Sequence, residues 1–269
     1  AKTIVLFQNT LLNNYKKNRR DLPWRKNKNP YRVLVSEIML QQTQVPRVIE
    51  KYNAWLKKFP GFESLAKAPV SEVIKEWQGL GYNRRGLFLK KAAETVVSQY
   101  EGKLPQTEEE LVKLPGIGKA TAASIIAFAF NKPTVFIETN VRSVYLHFFF
   151  HDQKDIDDSK IQEIAEITID RKKPSDWYNA IMDCGSLLKA QYGNPNKRSR
   201  QYQKQSKFEG SNRQLRGMIL RLLSTNKKMS LTQLERQINK DKNDIEMNVA
   251  QLEKEGFVGR KTNYFFLQK

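Results

Sequence analysis

The chain has 269 residues, 39% hydrophobic and 28% charged, a balance that supports a buried core in one or two domains and excludes a disordered or fibrous protein. Lys and Arg outnumber Asp and Glu by 47 to 28, a formal net charge of +19, so a polyanion such as nucleic acid is the first partner to expect. One cysteine, Cys184, excludes an internal disulfide and any metal or iron–sulfur site made of cysteines alone within one chain.

The opening AKTIVLFQNTLLNNYKKNRR sets Ile4, Phe7, Leu11 and Tyr15 at helical spacing. It reads as an amphipathic helix over 3–18 rather than a secretory signal, and no apolar run reaches the length of a membrane span. The expected location is cytoplasmic and nucleoid-associated. Pro30 suits the first turn of a helix over 30–42. Inside that helix Glu37 sits among Leu34, Ile38 and Leu40, and a polar connector, Gln41-Gln42-Thr43-Gln44, follows it. Pro46 then opens a helix over 46–58.

Helices over 71–79 and 84–100 flank Gly79-Leu80-Gly81-Tyr82, an aromatic on a glycine turn. Arg84 and Arg85 come next and suit phosphate contacts or plain solvation. Further helices are predicted over 107–113, 119–130, 138–149, 158–170 and 175–191. Ser71, Thr107 and Ser175 are placed as N-caps with acids in the following turn. No strand pattern precedes residue 255, so this part reads as all-α.

Between two of these helices lies LVKLPGIGKATAASIIAFAF, residues 111–130. Gly116-Ile117-Gly118 makes a tight turn that permits positive φ and close backbone approach. The turn and the start of the next helix (Gly116, Gly118, Lys119, Ala120, Thr121) present amides that can ligate a DNA phosphate without reading sequence. This is a helix-hairpin-helix signature. Residues 197–216 carry seven basic residues to one acid and almost no aliphatics, so 197–211 is read as a basic, flexible linker. After it come helices over 212–226, 230–238 and 242–255, with Asp241 as N-cap and Gly256 as terminator, and two short strands around Arg260-Lys261. That is a winged-helix-like plan over 212–269.

The segments LPWR (22–25), NPYRVLVSEIMLQQTQVPRV (29–48), WQGLGYNRRGLFLKKAA (77–93), LPGIGKATAASI (114–125) and NVRSVY (140–145) resemble, in order and spacing, the helix-hairpin-helix (HhH-GPD) DNA glycosylases, most closely the adenine-specific MutY branch. The resemblance implies a mainly α, two-lobed glycosylase fold with a small C-terminal winged-helix-like α+β domain. Residues 25–133 would form a helical barrel lobe, and 1–24 with 134–200 a second lobe. It implies a monofunctional enzyme that flips a mispaired or damaged base from duplex DNA and hydrolyses its N-glycosidic bond, acting as a monomer.

By the same resemblance Glu37 is the proton donor to the base, its pKa raised by apolar neighbours. Glu138 stands where the family carries aspartate and would stabilise the oxocarbenium-like sugar; as bland alternatives, either acid could be structural. Gln42 and Gln41 would enter the DNA stack. Tyr82 would wedge beside the opposite base or serve as a core lid, while Trp24 and Arg25 would line the base pocket or pack the lobes together. Ala120 takes the position of the lysine that lyase-active relatives use, so strong AP lyase activity is not expected. After Met182-Asp183-Cys184-Gly185, Lys189 stands where relatives place the first cluster cysteine, so no iron–sulfur cluster and no other cofactor is expected. The domain that recognises 8-oxoguanine in MutY proteins has no space here, which keeps other targets open: mismatched thymine or uracil, hypoxanthine, a modified pyrimidine, or DNA binding without catalysis.

Overall fold

Capping chemistry and prolines set most helix boundaries. The computed structural model describes residues 2–268. In chain order the helices are α1 (Lys2–Asn18), α2 (Pro30–Leu40), α3 (Val45–Lys58), α4 (Phe62–Lys67), α5 (Val70–Trp77), α6 (Arg84–Gln99), α7 (Glu108–Leu111), α8 (Lys119–Phe130), α9 (Thr139–Phe149), α10 (Asp158–Thr168), α11 (Pro174–Tyr192), α12 (Asn212–Asn226), α13 (Leu231–Gln237) and α14 (Lys242–Lys254). The strands are β1 (Lys228–Ser230), β2 (Val258–Lys261) and β3 (Tyr264–Leu267). The mainly α reading with a small C-terminal α+β region is correct.

Thr107 caps α7, its Oγ1 accepting from the Glu110 amide, and Asp241 caps α14 through the Asn243 amide. Ser71 and Ser175 do not cap: α5 begins at Val70 after Pro69, and α11 begins at Pro174. In both places proline lets the helix begin before the expected cap, and the serine falls inside the helix. The short α4 and β1 lack a recognisable sequence period and were not expected.

The chain divides into two compact units. The first comprises the chain up to Glu37, with Gln106–Lys113 and Ile117–Lys204. Its core gathers Phe7 of α1, Val141 and Tyr145 of α9, Ile161 of α10 and Trp177 of α11, with Phe7 edge-on to Trp177 at 5.9 Å between ring centroids. Gly185 lets α9 and α11 touch backbone to backbone, since a Cβ there would meet the Asn140 carbonyl oxygen at 2.7 Å.

The expected linker is tied down at its start. Asn196 donates to the Thr139 carbonyl at 3.1 Å and the Ser143 hydroxyl at 2.7 Å. Arg198 donates to the carbonyls of Leu146, Phe150 and His151, neutralising the C-terminal end of α9 rather than facing solvent.

The second unit comprises Ile38–Pro105, Leu114–Gly116 and the chain from Gln205. Trp55 lies edge-on to Trp77 at 5.5 Å, and Gly86 leaves room for the Trp77 ring, 2.8 Å from where its Cβ would be. The strands pair antiparallel in the order β1-β3-β2, with Val258 opposite Leu267 and Met229 opposite Phe265. The C-terminal residues share one core with the helices before them: Ile74 of α5 and Leu87 of α6 pack with Leu215, Ile219, Leu223 and Phe257. The Ser71 amide donates to the Gln268 carbonyl at 2.9 Å.

Candidate active site

Glu37 lies in the last turns of α2 between residues that are almost wholly buried, Val35 and Ser36 before it and Ile38 and Met39 after it. Surrounded in this way, its carboxyl is pushed up from an ordinary 4.5 to about 7. Burial is the main cause; a hydrogen bond with the Ser124 hydroxyl on α8 opposes it, and the charge of Glu138 adds to it. Ser124 has one proton, and it also reaches the Thr121 carbonyl at 2.9 Å. When that proton turns to Glu37 it favours the ionised carboxylate, which is the stronger acceptor.

Glu138 is the N-cap of α9, with extended backbone (φ −122°, ψ −178°). Its Oε1 accepts from the amides of Asn140 at 2.6 Å and Val141 at 2.9 Å, while Oε2 has the Asn140 side-chain amide at 3.4 Å. Burial raises this carboxyl too, but two amides and the cations Lys189 and Arg142 pull it back. Glu37 has only a hydroxyl on that side of the balance. The charge of Glu138 in turn helps hold the proton on Glu37.

Two charged groups of α11 were not foreseen as site residues, and one of them, Lys189, acts on Glu138. Lys189 of α11 donates to Asn140 Oδ1 at 3.0 Å; burial lowers its pKa and the Glu138 charge raises it. Asp183 accepts two hydrogen bonds from Arg25, each 2.8 Å, and one from Arg20 Nε at 2.5 Å. Burial would raise that carboxyl, but Arg25 and Arg20 outweigh it and hold it below its ordinary value. Arg25, expected at the base pocket or between the lobes, is thus pinned inside the first unit. Its neighbour Trp24 is half-buried in the short turn Pro23–Arg25. Asp183 was legible only as part of the segment MDCG, and Lys189 only as a missing cysteine.

The remaining expected residues of the second unit gather around one loop. Gln42 has φ +55° and Tyr82 φ +45°, left-handed values that cost a bulky residue about 1–3 kcal/mol. Arg85 braces both segments. It donates to the carbonyls of Ile38 (2.9 Å), Met39 (3.1 Å) and Gln41, to Thr43 Oγ1 (3.0 Å), and to the carbonyls of Leu80 and Gly81 (3.0 Å each). Burial lowers its pKa to about 10, which leaves it charged near neutral pH. With Nη1 and Nη2 taken up by protein oxygens and Nε buried without a partner among the described residues, the guanidinium serves to close the end of α2, not to meet phosphate as expected. Arg84 is mostly exposed, 3.9 Å from Glu255. Gln41, Gln42, Tyr82 and Arg84, with Arg213 and Arg216 of α12, line a cavity of about 630 Å³.

In the hairpin, Gly116 takes φ +80°, and a Cβ there would meet the Phe88 side chain at 2.7 Å. Gly118 is the extended N-cap of α8. The first helical bond runs from the Ala122 amide to the Gly118 carbonyl at 2.9 Å, so the amides of the first turn point out of the helix beside exposed Gly118, Lys119 and Ala120. Thr121 is half-buried behind them.

Among the described residues no group of three or more His, Cys, Asp or Glu is placed to hold a metal ion. A cluster on four thiolates does not fit this chain: Cys184 is its one cysteine, buried, with a thiol that burial pushes up to about 11. No helix of the described residues is long and apolar enough to cross a membrane.

Comparison with known proteins bears on the family and the fold. The family model described as "HhH-GPD superfamily base excision DNA repair protein" matches residues 35–171. An adenine DNA glycosylase of Buchnera aphidicola is 35% identical over 69% of this chain and 54% of its own length. A thymine/uracil-DNA glycosylase of Methanothermobacter thermautotrophicus is 30% identical over 68% of this chain and 84% of its own. The solved structure of a thermostable thymine-DNA glycosylase, 28% identical, superposes with a TM-score of 0.63 over 72% of this chain and 91% of that one. The chain spans about half the length of the Buchnera relative, 54%.

Proposed function

The chain belongs to the HhH-GPD superfamily of base excision DNA repair proteins, and from that premise we propose that it is a monofunctional DNA glycosylase acting on a flipped base of mismatched or damaged duplex DNA, adenine first. One observation carries the reading. Burial and the charge of Glu138 push the Glu37 carboxyl up to about 7, so that it can hold a proton near neutral pH, while Glu138 of the same unit is anchored by the amides of Asn140 and Val141. In this reading Glu37 donates its proton to a ring nitrogen of the base. The N-glycosidic bond breaks with its electron pair leaving on the base, and Oε2 of Glu138 faces the positive charge that develops at C1′. Water adds to C1′ and gives up a proton, which restores Glu37. Electrostatic contributions of this kind are worth about 3–4 kcal/mol per group in other enzymes.

Gly116, Gly118, Lys119, Ala120 and Thr121 bind a phosphate in this reading, through backbone amides and the lysine charge. Gln41 and Gln42 fill the space the base has left. With alanine at position 120 no lysine is offered for a Schiff base there, and the proposed reaction uses no iron–sulfur cluster. Mismatched thymine or uracil is the second reading, favoured because the thymine/uracil-DNA glycosylase relative is spanned over 84% of its length.

Duplex oligonucleotides, each with one mismatch or lesion, are incubated with the protein and treated with hot alkali. Adenine-containing mismatches should be cleaved, borohydride should trap no covalent adduct, and Glu37→Gln should abolish base release while DNA is still bound. Binding without cleavage of any duplex would refute the enzymatic reading, and cleavage at thymine or uracil alone would replace the target.

A further inference from the structure

Residues 205–216 lie beyond the stretch that the family model matches, which ends at 171, yet they reach the loop that carries Tyr82. Gln205 Nε2 and Arg213 Nη1 both donate to the Tyr82 hydroxyl. The Arg213 guanidinium also lies over the Tyr82 ring, 5.2 Å from its centroid. Arg213 is held in turn by the carbonyls of Ser206 and Lys207 and the Ser206 hydroxyl, at 2.8–3.4 Å. It forms no ion pair among the described residues, so its positive charge remains available. Arg216 is different, because Glu255 accepts from it at 2.6 Å.

The cavity of about 630 Å³ beside this contact has room for a nucleotide, and it combines the stacking face of Tyr82 with Gln42 and the donors Arg84 and Arg213. Tyr82 keeps 36% of its surface exposed, and the Arg85 guanidinium also lies over its ring, 5.7 Å from the centroid. The helix that would read a groove in a helix-turn-helix protein is poorly suited to that task here. Between Lys242 and Lys254, α14 carries Asp244, Glu246 and Glu253 and exposes Met247.

We propose that α12 and the segment before it complete a reading site for the intact DNA strand, in which Arg213 fixes the Tyr82 ring and discriminates the base opposite the excised one. The ligand is a nucleotide stacked on Tyr82, its base-edge acceptors facing the guanidinium. Arg213 is a positioning and specificity residue that takes no part in bond cleavage. The inference rests on the glycosylase reading above, and its test does not depend on turnover.

Fluorescence anisotropy would measure the affinity of the full chain for duplexes that carry a tetrahydrofuran abasic analogue opposite each of the four bases, at one fixed salt concentration. The unaltered protein should show a spread in Kd across the four partners on the order of tenfold. Arg213→Ala should collapse that spread to within about twofold, a larger effect than its rise in mean Kd. Arg213→Lys should collapse it too, because an ammonium keeps the charge but not the planar fork. Gln205→Ala should narrow it in part, and Arg221→Ala, on the same helix but away from Tyr82, should leave it intact.

An even affinity for all four partners in the unaltered protein would overturn the proposal. So would a spread that survives Arg213→Ala, or one that Arg221→Ala removes equally. Failure of the glycosylase reading would show separately, as an absence of base release in the oligonucleotide panel.

Discussion

Glu37→Gln should make the protein more stable, and by an amount that depends on pH. The substitution keeps the shape of the side chain and removes its proton equilibrium. In the folded protein the carboxyl titrates near 7 instead of 4.5, so folding takes up a proton between those two values. Below pH 4.5 both states are protonated and Glu37 costs nothing. Between 4.5 and 7 the unfolded chain ionises freely while the folded one resists, and the folded state loses about 1.4 kcal/mol per pH unit. Above 7 the loss levels off at about 3 kcal/mol.

Glu37 as a whole residue keeps some exposed surface and its bond to Ser124 would be weakened, which reduces the expected gain to about 2 kcal/mol. At roughly 2–4 °C per kcal/mol for a chain of this size, Glu37→Gln should melt about 4–8 °C above the unaltered protein at pH 8. The two should come close together at pH 5. Thermal melts followed by circular dichroism at both pH values measure this. An equal or lower melting temperature for the variant at pH 8, or the same gap at both pH values, would show that Glu37 is not held as an acid against its charge.

Glu138→Asp should leave the melting temperature nearly unchanged, since aspartate is a good N-cap. Base release in single-turnover assays should nevertheless fall by roughly a hundredfold, because the carboxylate retreats by about 1 Å; an unaltered rate would remove Glu138 from the reaction. Asp183→Asn should cost about 3 kcal/mol in urea unfolding at pH 7, by leaving Arg20 and Arg25 short of a charge partner. Because the Asp183 carboxyl is held below its ordinary 3.8, its contribution is complete above that pH and is lost as pH falls through the folded value, so the two proteins should converge in acid.

Glu37 was legible because an acid in an apolar helix beside a glutamine connector is a conspicuous pattern, and the hairpin because its glycines are demanded by the turn: Gly116 takes φ +80°. Helical periodicity found α3, α6, α8 and α12 to within a residue. Arg85 misled. An arginine just after a glycine turn reads as free for phosphate or solvent, and only the folded chain reveals the carbonyls converging on it. Lys189, Gln205 and Arg213 were out of reach for a related reason. Their partners Asn140 and Tyr82 lie 49, 123 and 131 residues away, and no local pattern encodes such pairings.

The longer side chain at position 138 raises the question of whether glutamate can serve where the resembling family carries aspartate. The geometry suggests how the extra methylene is absorbed. Oε1 turns back to the amides of Asn140 and Val141, the two that an N-cap normally serves. The carboxyl is thereby anchored to its own helix. Oε2 is left with one long contact to Asn140, whose side chain Lys189 holds from the other end. Gly185 keeps this arrangement close, because any side chain there would push α9 from α11 and carry Asn140 with it. A glutamate held in this way keeps one oxygen for the sugar in the proposed reaction.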